Sequence, residues 1–208
     1  MAQVAWNHLP VRVRELFSIE LNRVQCEQLG RYLDLVWVWS RRANLISVRS
    51  RGEIIDRHVL DSIAPFSFVR EAAVVADFGS GAGFPAIPLA VLAPTTRFHL
   101  VESRRKRATF LRHVTRTLDL SNVEVYEGRG EEWTPDEPID LTIGRAIRTD
   151  LLAELSLRVL SSNGCLLVMR KRADSELRVG GFRYVDRVSY DLPGGERHEI
   201  IVLRRVSA

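Results

Sequence analysis

Lysine is nearly missing from this 208-residue chain: of 30 Lys and Arg residues only Lys106 and Lys171 are lysines, leaving 28 arginines. Schiff-base catalysis, a Walker phosphate loop and a Tyr-x-x-x-Lys reductase pair each need a placed lysine. No G-x-x-x-x-G-K is present and neither lysine follows a tyrosine by four positions, which excludes all three. Cysteine is as sparse. Cys26 and Cys165 lie far apart with no C-x-x-C, so a disulfide framework and a cysteine-based zinc site are excluded, and no metal site is expected. No stretch approaches 18 uncharged apolar residues, and the opening MAQVAWNHLP lacks the basic-then-apolar order of an export signal. The expectation is a cytoplasmic chain with neither membrane span nor obligate protein partner.

What remains is the composition of one ordinary domain, 46% hydrophobic and 27% charged. A formal net charge of +4 permits a polyanionic partner, although codon bias toward arginine explains the count as well. The guanidinium still matters, because it forks onto phosphates and reads guanine edges. Residues 11–68 read as helical, with Leu16, Ile19, Val24, Leu29, Leu33, Val36 and Trp37 recurring at spacings of three to five and a turn expected at Ser50 to Gly52. From residue 72 the pattern becomes short apolar runs separated by helical ones, the signature of a largely parallel α/β sheet. Strands are predicted at 74–78, 98–102, 123–128, 140–144 and 164–169, with helices from Pro85, over 104–118 and over 150–160. FRYVDRVSYDL and HEIIVLRR, separated by Pro193-Gly194-Gly195, close the chain as a hairpin. The domain division is thus 1–71, a helical region packed on the rest, and 72–208, the α/β part of one structural unit.

Asp77-Phe78-Gly79-Ser80-Gly81-Ala82-Gly83 follows the first strand and precedes a helix with Pro85 in its first turn. Alternate glycines let the backbone turn sharply and approach a ligand closely, and free N–H groups at a helix start suit a carboxylate or phosphate. Glu102 ends the second strand 23 residues after Gly79, where a carboxylate can accept both hydroxyls of a ribose. A nucleoside cofactor follows. Gly81-x-Gly83-x-x-Ala86 fits a nicotinamide dinucleotide and Gly79-x-Gly81-x-Gly83 fits S-adenosyl-L-methionine; the terminal hairpin and the missing Tyr/Lys pair favour the second.

The chain resembles the glucose-inhibited division protein B family, the small-subunit ribosomal RNA guanine-N7 methyltransferases. The likeness rests on NLISVRSRGEIIDRHVLDSI (44–63), DFGSGAGFPAIPLA (77–90), LVESRRKRATFLR (100–112), GRGEEW (128–133), GRA (144–146) and GERHEIIVLRR (195–205), and it covers nearly the whole length. It implies a Rossmann-like class I methyltransferase fold with a mostly parallel seven-stranded sheet, a C-terminal antiparallel hairpin and an N-terminal helical extension. The implied cofactor is S-adenosyl-L-methionine and the implied partner is small-subunit ribosomal RNA or the ribosomal subunit.

By the same resemblance Gly79 and Phe84 border the methionine part of the cofactor, Glu102 the ribose, and Gly130 with Glu131 the adenine edge, while Arg145 closes the site. Asp77, Ser80, Gly81 and Gly83 complete the loop. Arg129, Arg145 and Arg170 are expected near the target guanine or its phosphate, and Asn44, Arg57, His58 and Asp61 link the helical region to the mouth of the site, with His198 as a second candidate histidine. Guanine N7 carries an available lone pair, so no base is required. Consistently, the sequence has no [DN]-P-P-[FYW] tetrapeptide and no cysteine in the loop directly after the fourth strand. The chain departs from the family at Gly130, Ala86, Arg148 and at Arg170-Lys171, where a Lys-Gly pair is usual and an altered strand exit is expected. The alternatives are a small NAD(P)-dependent reductase and a non-catalytic RNA-binding protein.

Overall fold

The computed structural model describes residues 6–43, 45–173 and 177–206. Strands β1 (Val74–Phe78), β2 (Arg97–Glu102), β3 (Val123–Glu127), β4 (Ile139–Arg145) and β5 (Leu160–Lys171) run parallel, and β6 (Phe182–Asp191) and β7 (Arg197–Arg205) form an antiparallel hairpin with β7 against β5. Seven strands thus lie in the order β3-β2-β1-β4-β5-β7-β6. In such a sheet the carboxyl ends of β1, β2, β3, β4 and β5 share one edge, which is where open α/β sheets bind ligands.

Both faces of the sheet are covered, which is why β1 reads as an unbroken apolar run with every residue buried. Val75, Phe98, Leu100, Ile143 and Val202 pack with helices α1 (Leu9–Phe17), α2 (Arg23–Ala43), α6 (Ala86–Leu92) and α7 (Arg105–Thr117) on one face. Ala76, Phe78, Val101, Val168 and Ile201 pack with Leu152, Leu155 and Val159 of α8 (Thr149–Val159) on the other. The first cluster takes residues from the helical segment and the sheet alike.

Three sequence expectations need correction. The 11–68 stretch is interrupted: α1 stops at Ser18, whose φ is 56°, and α2 begins where Asn22 and Gln25 cap each other through reciprocal side-chain bonds of 2.9 and 3.0 Å. Leu29, Leu33 and Val36 are fully buried, but Leu16 and Val24, which flank that break, are 42% and 61% exposed. The turn expected through Gly52 ends at Ser50, whose hydroxyl accepts from the Glu53 amide at 3.2 Å and starts α3 (Arg51–Ile54). From α3 the chain passes through a π-helical turn (Ile55–Val59) into α4 (Leu60–Ile63) and then α5 (Phe66–Val69). Finally, β5 begins at Leu160 because Ile139 pairs with that residue across a bulge, so α8 stops one residue short of its expected end. The polar Ser161-Ser162-Asn163 run hid these first strand residues. Among the described residues no helix is long and apolar enough to cross a membrane.

Candidate functional site

Gly79, Gly81 and Gly83 all have positive φ, 73°, 58° and 96°, which a side chain disfavours. Their surroundings differ. A Cβ on Gly83 would stand 2.6 Å from Ile87 Cγ1 and 3.2 Å from the Tyr32 hydroxyl, so packing demands this glycine. At Gly79 and Gly81 the nearest atoms are 3.9 and 3.7 Å away, ordinary contact distances, so there the backbone conformation and not packing demands glycine. The loop is fixed from below: Gly79 N–H donates to the Val101 carbonyl at 2.9 Å, the Ser80 hydroxyl to the Asp77 carbonyl at 2.8 Å, and the buried Tyr32 hydroxyl of α2 to the Ala82 carbonyl at 2.9 Å. Tyr32 also tilts against Phe84, and His58 stacks on the other partner surface of Phe84 with ring centres 5.2 Å apart. The amides expected free at the following helix start are partly used, since Ile87 N–H donates to the Gly83 carbonyl.

Two buried carboxylates stand at this loop. Glu102, 3% exposed, accepts from Gly81 N–H and from Arg104 N–H, each at 2.8 Å, so both oxygens are oriented yet each keeps a lone pair. Asp77 is 1% exposed and neither side-chain oxygen has a hydrogen-bond partner. Burial above all pushes this acid up to about 8; the nearby Ser80 hydroxyl is the strongest pull against it, the charge of Glu102 adds to the rise, and the Ala86 amide and Arg145 oppose it more weakly.

A third carboxylate, Asp61 on α4, joins the helical segment to the sheet. Its oxygens meet Arg145 Nε of β4 at 2.7 Å, His198 Nδ1 of β7 at 3.0 Å and the donating Tyr190 hydroxyl of β6 at 2.6 Å. Burial alone would raise Asp61; the His198 bond, the Arg145 charge and Tyr190 outweigh it and hold the acid below the usual carboxylate range. The Asp61 bond in turn raises His198. Arg145 also donates to the Arg57 carbonyl at 2.8 Å and lies 3.2 Å from His58 Nδ1. Arginine only donates, so Nδ1 accepts and the neutral ring carries its proton on Nε2. Burial, with the Arg145 and Arg57 charges, lowers His58 to about 4. The π turn holding Arg57 and His58 is a feature that recurs at functional sites.

Arg145 therefore stands at the expected strand end with its guanidinium turned onto Asp61. Arg170 similarly turns onto Glu199, which is fully buried, at 2.6 Å. β5 continues in regular antiparallel register through Arg170 and Lys171, opposite Glu199 and His198, and the altered strand exit is not found. Arg129 is exposed and forms no side-chain ion pair among the described residues, and Glu131 is exposed beside it. At Gly130 a Cβ would stand 2.7 Å from Leu155 Cδ1, which accounts for the missing side chain. Arg148 pairs with Asp150 at 3.1 Å. Asn44 lies outside the described residues. Cys26 and Cys165 are half-buried free thiols, and no metal-binding cluster occurs among the described residues. Sequence reasoning missed Tyr32 and Tyr190, whose hydroxyls complete the loop and the Asp61 join; no local pattern marks either. Arg107 of α7 also approaches the loop, with its Nη1 3.8 Å from where a Cβ on Gly81 would stand.

Comparison with known proteins agrees with this geometry. The family model described as rRNA small subunit methyltransferase G matches residues 25–186. A ribosomal RNA small subunit methyltransferase G from Dichelobacter nodosus is 34% identical over 185 residues, covering 89% of this chain and 88% of the relative. One from Lactococcus lactis subsp. cremoris is 30% identical over 205 residues, covering 91% and 86%. Among solved structures, a SAM-dependent methyltransferase from Aquifex aeolicus superposes with a TM-score of 0.55 at 17% identity, covering 71% of this chain and 92% of the other, a likeness of fold.

Proposed function

This chain belongs to the rRNA small subunit methyltransferase G family, and from that premise we propose that it methylates N7 of a guanine in small-subunit ribosomal RNA, using S-adenosyl-L-methionine bound at the carboxyl edge of β1 and β2. The observation that carries the reading is the pairing of an oriented carboxylate, Glu102, with a buried one whose oxygens lack a hydrogen-bond partner, Asp77, beside a loop of three positive-φ glycines. The cofactor, when bound, supplies an electrophilic methyl group on a sulfonium.

The chain's own groups fit such a ligand. Glu102 has lone pairs left for ribose hydroxyls, and Asp77 offers a negative charge toward a cationic ligand in a low-dielectric place. Gly79 and Phe84 border the methionine part, with Ser80, Gly81 and Gly83 shaping the loop, and the Gly130 amide with the Glu131 carboxylate addresses adenine. Guanine N7 needs no deprotonation, which agrees with the absence of a free base: His58 is kept neutral by burial and His198 is committed to Asp61. Catalysis is then positioning of the two reactants in line. Arg145 and Arg170, braced by Asp61 and Glu199, shape the mouth of the site beside the target guanine, and exposed Arg129 meets its phosphate. The helical 1–71 segment acts as part of one unit with 72–208, because Arg57, His58 and Asp61 brace Arg145. An RNA substrate of the ribosome places the chain in the cytoplasm. A nicotinamide reductase lacks support from family or fold neighbours.

The test is incubation with labelled S-adenosyl-L-methionine and small-subunit RNA, naked or assembled, from a strain lacking the protein. Label at one alkali-labile N7 position is expected; no incorporation into either substrate would sink the reading.

A further inference from the structure

Several arginines on this surface are neutralised in place: Arg23 by Glu27, Arg57 by Glu53, Arg97 by Glu137 and Arg112 by Glu127. One groove is different. Between the end of α2 and the first turns of α7 lies a cleft of about 390 Å³ lined by Trp39, Arg42, Arg105, Lys106 and Thr109, with no acid among them. Arg42, Arg105 and Lys106 are exposed and make no side-chain hydrogen bond or ion pair among the described residues. The floor is rigid. The half-buried Trp39 ring is tilted against Phe110 at 5.3 Å and His113 at 5.9 Å between ring centres.

An aromatic face ringed by unpaired cations suits a base and its phosphates, since stacking is sequence-tolerant and the cations track the backbone. Its location points the same way. α7 begins three residues after Glu102, and Arg107, on the same turn as Lys106, reaches toward Gly81 of the cofactor loop. We propose that this groove seats an unpaired nucleotide of the small-subunit RNA near the methylated guanine, its base on Trp39 and its phosphates against Arg42, Arg105 and Lys106. The assignment rests on the RNA-methylation reading above and adds a second, separate contact with the same substrate.

The test uses the full chain saturated with S-adenosyl-homocysteine and a short fluorescent single-stranded RNA, titrated over a range of salt. Arg42→Ala/Lys106→Ala, both at exposed positions, should flatten the slope of log affinity against log salt by about 1.4, from roughly 0.7 per phosphate contact on a single strand. Trp39→Leu should weaken binding about 5- to 100-fold, the span for one base–aromatic stack, with Trp39→Phe retaining most of the affinity. Cofactor affinity should not change in any variant, which also reports intact folding. An unchanged slope and affinity in the double variant overturns the proposal. So does loss of binding to phosphatidylglycerol vesicles with RNA binding intact, which would make the groove a lipid contact. If the groove variants lose RNA but the unaltered chain never methylates RNA, the groove stands and the reaction assignment falls; methylation with groove-independent binding gives the reverse.

Discussion

Asp61 and Asp77 are equally buried, each 1% exposed, and both feel the charge of Arg145. Yet Asp61 has three partners from three strands, while Asp77 has no partner for either oxygen. Their acidities move apart accordingly, the first downward and the second up to about 8. Burial thus does not separate a braced carboxylate from an unbraced one; the inventory of partners does. Asp61 can be recruited by a ligand only by breaking the join between helices and sheet. Asp77 carries a desolvation cost that Ser80, the Ala86 amide and Arg145 offset only in part, and a cationic ligand would offset more of it.

Breaking the satisfied side should cost most. Asp61→Ala leaves Arg145 and His198 without their acid, and loss of about 3–5 kcal/mol of stability is expected in denaturant titrations, the range for removing one partner of a buried pair. Full stability would reduce the join to a surface contact. At the loop, Glu102→Ala should weaken S-adenosyl-L-methionine by about 1.5–3 kcal/mol in calorimetry, the scale of hydrogen bonds to a charged group. Unchanged affinity would remove Glu102 from the site.

The unsatisfied side should respond with the opposite sign. Asp77 binds its proton more tightly folded than unfolded, so its contribution is intact below pH 4 and is lost as pH rises toward 8. Asp77→Asn, which has no proton to hold, should therefore lose less stability than the unaltered chain between pH 5 and pH 8. An equal loss in the two proteins would show Asp77 to be paired. The smallest effect distinguishes the two histidines. By NMR titration His58 should stay neutral down to about pH 4, losing stability as pH falls from about 6.5. His198 should hold its proton above that value, with its stabilising share lost as pH rises through its raised pKa. Parallel titration of the two would contradict the Asp61 join.

The parts legible in the sequence are those whose signal is local. The glycine loop after an apolar run and Glu102 at the next strand's end lie within one β-α-β unit, and both fall where the spacing put them. The Asp61 join draws on Tyr190, 129 positions away, and on His198, so only folding brings its members together. That Arg145 and Arg170 end strands was legible; that each guanidinium would turn onto a buried acid was not, because strand position fixes a Cα and leaves the long side chain free. The abundance of arginine looked like codon bias, and where an arginine pairs with a nearby acid, as Arg23, Arg97 and Arg112 do, that explanation is sufficient. The exception is the acid-free groove at Trp39, a property of tertiary placement.

If a cationic cofactor binds beside Asp77, whose two oxygens lack a hydrogen-bond partner, its affinity must follow the ionisation of that acid. The ionisable groups facing it are Glu102, Arg145 and Tyr32. Calorimetric titration of S-adenosyl-L-methionine into the unaltered chain and into Asp77→Asn between pH 6 and pH 7.5 tests it directly. Binding should deprotonate Asp77, so affinity should rise toward about tenfold per pH unit in the unaltered chain and stay flat in the variant. Equal pH dependence in the two proteins would contradict it.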